Sequence, residues 1–408
     1  MNQMSYVPGQ PPPLPPLTAT FSGSRGEFFR LVSRGAAIEL ITLGFYRFWL
    51  ATDIRRHLWV NTAVDGDAAE YTGRGKELLI GFLFAMAILV PIYLVYFLIG
   101  VEAERYQGFA SAPLVISFYA FGQFAIYRAR RYRLTRTVWR GIRFWMDGSG
   151  WAYAGRAMLW TLLTVLTLGL AWPWRAAALE RYKMRHSHYG DLRGDFEGRG
   201  WDFFKRAWYL WLAPPAATAA VSLLMYLAFN SGGWPSAGVA GAFSAIVLLV
   251  LAPFLYAQFK AVEWSWWLSG IRFGGVRLDS TLAGDAFYAL YWKVIAWFFL
   301  LSIASAAYFS AVLAVTAQLL GPDGGGLQRA QSLSNQMPAL VLGGLGYIAW
   351  ILALNVVMRL YLVRDIWATV LESVQVHGIE AMANVAAKGD LASALGEGFA
   401  DGLDVAGF

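Results

Sequence analysis

The residues able to do covalent or metal chemistry are few and scattered. The chain has no cysteine and four histidines, His57, His186, His188 and His377. His186 and His188 are two apart on a predicted strand, which turns both rings to one face, and Asp191 or Asp195 would have to complete a metal site. Without a firm third ligand the pair reads as a polar strand beside a basic stretch, and the matching earlier segment holds Asn61 and Ala63 there. A nucleophile elbow, a His-Glu-x-x-His pair and a phosphate loop do not occur in the sequence. No catalytic residue, metal or cofactor is therefore expected, and the chain reads as a non-enzyme. A headgroup-processing enzyme would need His57 or Glu39 to meet Asp53 or Asp65, which their spacing does not demand.

Residues suited to binding are more frequent. Gly73-Arg74-Gly75-Lys76 and Gly198-Arg199-Gly200 each precede a predicted helix, whose free N–H groups and dipole favour an anion. The plainer reading is a flexible hairpin exit, with Arg74 and Arg199 touching lipid phosphates. Arg34 and Glu39 lie in one apolar helix, and Asn355 and Arg359 sit one turn apart in another. Polar groups in a bilayer mark a pathway or a partner, or they glue helices together and snorkel to the interface. Snorkelling suits Arg359; Arg34 with Glu39 fits either reading. Thr161, Thr164 and Thr167, spaced by three, line a hydrated vestibule or bond back to their own helix. The arginines from Arg128 to Arg140, interleaved with Tyr132 and Trp139, attract anionic lipid headgroups at about 1 kcal/mol per charge near the surface. Their closeness to the membrane disfavours nucleic acid.

The elements that carry these residues follow from composition. Of 408 residues, 58% are hydrophobic and 14% charged, against about 25% charged in soluble domains, so the chain is an integral membrane protein. A crossing helix needs about 20 apolar residues. Six stretches supply them: Leu78 to Gly100, Ala110 to Tyr127, Ala207 to Phe229, Gly238 to Phe259, Ala286 to Leu320 and Pro338 to Val363. Short loops, Val101 to Phe109, Asn230 to Ala237 and Gly321 to Met337, join them into three hairpins. Glu27 to Thr42 and Gly155 to Thr167 are shorter, and both stop at Thr-Leu-Gly, where Gly44 and Gly169 break the helix. Were the second to cross, the basic stretch from Arg175 to Arg206 would lie on the face opposite to that from Arg128 to Arg156, against the positive-inside rule. Both are expected to be re-entrant or interfacial. Of 33 Lys and Arg residues only Arg105 and Arg329 then fall outside, and both termini lie in the cytoplasm.

The fold expected is thus mainly α: a polytopic helical membrane protein with internal duplication, six spans, two re-entrant or interfacial helices and short cytoplasmic β-hairpins. At an offset of 125, Thr42-Leu43-Gly44, Trp49, Ala51, Arg56 and Gly73-Arg74-Gly75 recur as Thr167-Leu168-Gly169, Trp174, Ala176, Arg181 and Gly198-Arg199-Gly200. A second echo pairs Gly141-Ile142-Arg143-Phe144 with Gly270-Ile271-Arg272-Phe273. Turns at Asp65-Gly66, Asp147-Gly148, Gly190-Asp191, Gly274-Gly275 and His377-Gly378 predict up to five hairpins, which must sit in water or pair with one another as a collar. The organisation expected is a disordered Pro-rich tail (1–24), a first repeat (25–153), a second (154–283), a third helical pair with a terminal hairpin (284–387) and a C-terminal short helix or tail (388–408).

The Thr-Leu-Gly break, Trp49, Arg55-Arg56, Asn61-Thr62, Asp65-Gly66 and the Gly73-Arg74-Gly75-Lys76-Glu77-Leu78-Leu79 exit resemble the bacterial YjgN family, from Phe21 to about Ala387. In the second repeat Asn61-Thr62 becomes His186-Ser187 and the Asp-Gly turn becomes Gly190-Asp191. The resemblance implies the bacterial inner membrane and a duplicated architecture, and it implies no reaction. Broken helices expose backbone and dipoles to a ligand while neighbours shield them from lipid. The leading expectation is a protein that binds or transports a small solute or amphiphile. A lipid-organising or partner-docking scaffold is the alternative.

Overall fold

In the computed structural model, which describes residues 16–103, 112–320 and 333–393, helices and short strands alternate strictly along the chain. The strands are β1 (Leu17–Thr18), β2 (Thr20–Phe21), β3 (Thr62–Val64), β4 (Asp67–Tyr71), β5 (Thr137–Trp139), β6 (Ile142–Met146), β7 (Ser187–Tyr189), β8 (Leu192–Phe196), β9 (Ile271–Phe273), β10 (Val276–Ser280) and β11 (Val374–His377). Each pairs antiparallel with its neighbour in the order β1-β11-β10-β9-β8-β7-β6-β5-β4-β3-β2. β1 and β2 are separated only by buried Ala19, so the sheet closes into a barrel-like collar. Closure removes the free edges that short strands in water would otherwise present.

Helices rise from this collar in five excursions. The first is α1 (Arg25–Ile41) and α2 (Arg47–Val60), and the second α3 (Gly75–Ala103) and α4 (Ala112–Thr135). The third is α5 (Gly150–Leu166) and α6 (Trp172–Arg185), and the fourth the long α7 (Gly200–Gly270). The fifth is α8 (Tyr288–Leu320), α9 (Leu333–Met358), a π-helical stretch Arg359–Asp365 and α10 (Ile366–Glu372). Every excursion leaves one strand of the collar and returns to another, so the basic segments beside the strands lie at one end of the molecule. Among the described residues, four helical segments are long and apolar enough to cross a membrane: Gly75–Phe97, Gly200–Gly270, Tyr288–Thr316 and Leu340–Glu372.

The two short excursions reverse by one shared device. Thr42 Oγ1 donates to Ile38 O (2.8 Å) and accepts from Tyr46 N (3.0 Å). Thr167 Oγ1 likewise donates to Leu163 O (2.8 Å) and accepts from Ala171 N (3.0 Å). Leu43 and Leu168 both take φ of 51°, followed by Gly44 at 88° and Gly169 at 92°. A leucine at positive φ is costly, and the threonine bonds and following glycine hold it there. Leu43 and Leu168 are 89% and 94% exposed, so these apices find no protein to pack on. At 17 residues, α1 and α5 are each about 25 Å long, against about 43 Å for α3.

Several expectations need correction. The end of the tail expected to be disordered, Leu17–Phe21, forms β1 and β2 and closes the collar; the proline-rich stretch before it, and Arg105 and Arg329, lie outside the described residues. The turn between β5 and β6 is Arg140-Gly141, with Arg140 at φ 48°, and Asp147-Gly148 instead leads into α5. Four hairpins form: past His377-Gly378 the chain enters a 3₁₀ turn, Ile379–Met382, and β11 pairs with β10 and β1. Within α7 two helices meet at Gly233 (φ 67°, ψ −152°), so the reversal expected over residues 230–237 is made at that glycine rather than by a long loop. Of the C-terminal short helix or tail expected over 388–408, only 388–393 fall within the described residues, with Gly389 beside the Trp145 indole. Inside the collar Val64, Trp139, Phe144, Phe273 and Val376 surround an apolar cavity of about 270 Å³, bordered also by Ile379 and Met382.

Candidate functional site

Five helices end on the collar, α2, α4, α6, α7 and α10, and each feeds a strand beginning at Thr62, Thr137, Ser187, Ile271 or Val374. Residues seven, four and three positions before a strand share one helical face, and each of the five helices lines a common vestibule above the barrel from that face, except that Leu58 of α2 and Met184 of α6 pack into the core instead. Seven before come Arg55, Arg130, Glu180, Trp264 and Trp367. Four before come Arg133, Lys183, Trp267 and Val370, and three before come Trp59, Leu134, Leu268 and Leu371. The vestibule has two lobes of about 300 and 320 Å³ that share Arg130, Arg133, Trp264 and Trp267.

Indole N–H groups staple neighbouring helix ends. Trp59 Nε1 donates to Thr137 Oγ1 and Trp367 Nε1 to Thr62 Oγ1, both at 3.0 Å, and the two indoles stack with centroids 5.1 Å apart. Trp267 Nε1 donates to Glu180 Oε2 at 3.0 Å. That carboxylate also receives Arg130 Nη1 at 3.4 Å and pairs with Lys183. Burial alone would raise the Glu180 pKa, but Lys183 and Arg130 outweigh it and hold it below the usual carboxylate range. Burial lowers Lys183, opposed by Glu180 and reinforced by Arg130. Lys260 pairs with Glu263 at 2.7 Å in the same lobe, and in the other lobe Arg55 Nη1 donates to the Tyr71 hydroxyl at 3.3 Å. Charges removed from water at this depth need such pairing to be tolerated. The site is thus an indole-walled chamber in which cations and carboxylates stand paired side by side.

The residues singled out from sequence lie elsewhere, in the frame. Glu39 pairs at 3.6 Å with Arg359 rather than with Arg34, which is exposed, so Arg359 ties α1 to the last excursion instead of snorkelling. Asn355 is half-buried one turn earlier. The Thr161 hydroxyl shares a hydrogen bond of 2.5 Å with Tyr119 and accepts from Arg175 Nε at 3.1 Å, locking α4, α5 and α6 together. Thr164 donates back to Trp160 O. Arg74 and Arg199 are exposed at the starts of α3 and α7. The carbonyls before them, Gly73 O and Gly198 O, accept from Arg56 and Arg181, each at 3.3 Å. Gly75 and Gly200 press on the backbones of Trp49 and Trp174, where a Cβ would come within 2.7 and 2.8 Å of a Cα. The Gly-Arg-Gly motif therefore works as a close-packed hairpin exit. Of the basic run, Arg130 and Arg133 face the vestibule, while Arg136 pairs with Glu77 and Arg140 with Asp65 and Asp67.

The histidines are dispersed: His188 stacks on Trp145, His186 caps α6 with a ring nitrogen 2.7 Å from Tyr182 O, and His377 meets Asp279. Among the described residues no group of three His, Asp or Glu could hold a metal ion. Sequence reasoning missed the vestibule residues Arg55, Trp59, Glu180, Lys183, Lys260, Trp264, Trp267 and Trp367. Their signal was the constant distance from each helix end to its strand, visible only once all five helix–strand units are aligned. No curated protein and no solved structure matches the chain. A bacterial family described as a "Bacterial protein of unknown function (DUF898)" matches residues 16–402. That family is the YjgN family to which the Thr-Leu-Gly and Gly-Arg-Gly motifs pointed, and the chain belongs to it.

Proposed function

We propose that this protein is a non-enzymatic, multi-pass protein of the bacterial inner membrane that holds, and in turn passes on, a small solute or amphiphile in its axial vestibule. Six spans and two re-entrant hairpins surround that chamber, the first and third excursions descend from one duplicated unit, and both termini lie in the cytoplasm beside anionic lipid headgroups. The observation that carries the reading is convergence. Five helix ends, drawn from residues 55 to 371, contribute from corresponding positions to one chamber of cations, carboxylates and indoles. Such a chamber is costly to build and has no use in a passive anchor. The scaffold reading draws support from the collar below, whose interior is a largely apolar cavity walled by Trp139, Phe144 and Phe273.

Native mass spectrometry of the full chain released from mild detergent separates the two. A holder carries one small molecule per chain, and Trp267→Ala, which opens the chamber wall, loses it while the protein stays monodisperse. A chain that releases nothing, or the same lipids in both forms, overturns the holding reading in favour of the scaffold. Since the sequence has no cysteine, single cysteines at Arg131 and Arg181 test the topology directly. Labelling from opposite compartments would remove the re-entrant hairpins.

A further inference from the structure

Away from the vestibule, the apex of the α5–α6 hairpin meets α7 along a groove of about 590 Å³. Gly169 and Trp172 line it from the hairpin, and Leu210, Trp211, Pro214 and Pro215 from α7. Trp211 Nε1 donates to Gly169 O at 3.1 Å, which ties the apex to the helix. Pro214 and Pro215 have no N–H, so the carbonyls of Leu210 and Trp211, four residues earlier on the same face, lose their helical donors where the groove runs. The Trp172 indole N–H is buried with no hydrogen-bond partner among the described residues. No charged side chain among the described residues lines the groove.

Hairpin α1–α2 and α3 provide the control. α3 starts at Gly75 as α7 starts at Gly200, and at the same offset Met86, Leu89 and Val90 stand for Trp211, Pro214 and Pro215, with Arg47 for Trp172. Those positions keep their backbone donors and carry no indole, although the apex turns in the same way. The polar groups of the groove therefore belong to the second hairpin and are not required by the fold. The apex stands about 25 Å along α5 from the collar. At that depth in a bilayer no water replaces a missing backbone donor, so a guest that brings an O–H is favoured, and its oxygen can accept from Trp172. A phosphate or ammonium head would enter an uncharged wall without a counter-ion, which an apolar setting penalises.

Resting on the membrane setting proposed above and not on the vestibule, we propose that this groove holds a neutral lipid with a free hydroxyl, its O–H on the carbonyls of Leu210 and Trp211 and its oxygen towards the Trp172 N–H. The test is native mass spectrometry of the full chain in an amine-oxide detergent, which carries no hydroxyl, with hexadecanol, dioleoylglycerol, hexadecyl methyl ether and dioleoylphosphatidylcholine as probes. At least one of the two alcohols should bind once per chain about tenfold more tightly than the ether, which cannot donate, and than the phospholipid; the tighter of the two tells whether one chain or two fits. Pro214→Ala with Pro215→Ala returns two N–H groups to the helix, alanine being the better helix former, and should bring the alcohols down to the level of the ether. Trp172→Phe should weaken alcohol and ether alike, by severalfold. Trp267→Ala, in the vestibule, should change neither, and loss of the alcohol in that variant would put it in the vestibule and overturn the groove. Equal retention of ether and alcohol by the wild type, or tighter binding of the phospholipid, overturns the hydroxyl. A wild type that retains no probe overturns the site, and these wild-type outcomes decide whether or not the variants fold.

Discussion

Hairpins α1–α2 and α5–α6 can be laid on each other residue by residue at the offset of 125, and the match extends from backbone to contacts. Each turns on a threonine that bonds both ways, a left-handed leucine and a glycine. Each ends by offering an arginine, Arg56 or Arg181, to the carbonyl before the Gly-Arg-Gly exit. They part company where α2 and α6 face the vestibule. There α2 brings Arg55 and Trp59, while α6 brings Glu180 and Lys183. The two hairpins agree in the frame and differ on the axial face, which is what is expected if the frame serves folding and the axial face serves a ligand.

The largest expected effect lies on that divergent face. Glu180→Ala leaves Lys183 and Arg130 facing each other in a buried site, and removing one partner of a buried charge pair costs about 3–5 kcal/mol. Thermal unfolding of the detergent-solubilised protein should show a clearly lower Tm. Arg55→Ala, its positional counterpart, removes a guanidinium that donates to the Tyr71 hydroxyl, a bond worth about 1.5–3 kcal/mol, and should cost less. Equal losses would mean the two faces are not as different as their contacts imply.

The shared frame makes the opposite prediction. Gly75→Ala and Gly200→Ala each drive a Cβ into the backbone of a tryptophan, an overpacking that costs about 1–3 kcal/mol. The two losses should agree, and a large loss at one position with none at the other would separate the frames. Smaller still is the strain at the apices. No atom stands within 4 Å of a Cβ added at Gly44 or Gly169, so alanine there pays only for its left-handed backbone, about 1–2 kcal/mol. Asparagine, which tolerates that conformation, should recover part of the loss at both sites.

Much of the frame was legible in the sequence. Thr-Leu-Gly signalled the breaks because only a glycine following a capped helix relieves that geometry. Asp65-Gly66, Gly190-Asp191 and Gly274-Gly275 marked turns because they supply positive φ. The Arg140-Gly141 turn was hidden because arginine is not a turn residue, and the ion pairs from Arg140 to Asp65 and Asp67 that steady it join strands far apart in sequence. β1 and β2 were hidden because two residues carry no alternation, and their strand character comes from the partners at Val376 and Ala63. The vestibule was least legible. Its indoles and aliphatic side chains look like ordinary span residues, and its charges look like a juxtamembrane cluster until the five helix ends are brought to one axis. Glu39 and Arg359 met for the same reason, across an interval no local pattern spans.

Acid sensitivity sharpens the comparison at its finest scale. His57 of α2 is half-buried against the Phe28 ring, and its Nε2 is buried with no hydrogen-bond partner among the described residues. The matching residue of α6 is Tyr182, a phenol where α2 has an imidazole. Burial lowers the His57 pKa, Glu27 opposes this and Arg364 adds to it. The folded protein therefore prefers the neutral ring, while the unfolded chain takes up a proton as pH falls through about 6.5. His57 destabilises nothing above that pH, and its contribution turns against the fold as pH drops from there towards its lowered folded-state pKa. Tm should accordingly fall between about pH 7.5 and 5.5. His57→Tyr, which writes the residue of α6 into α2, should flatten part of that fall, and His188, lowered by burial in β7, should keep the rest. A slope untouched by His57→Tyr would mean that the two hairpins respond to acid alike, and that the buried imidazole is not what distinguishes them.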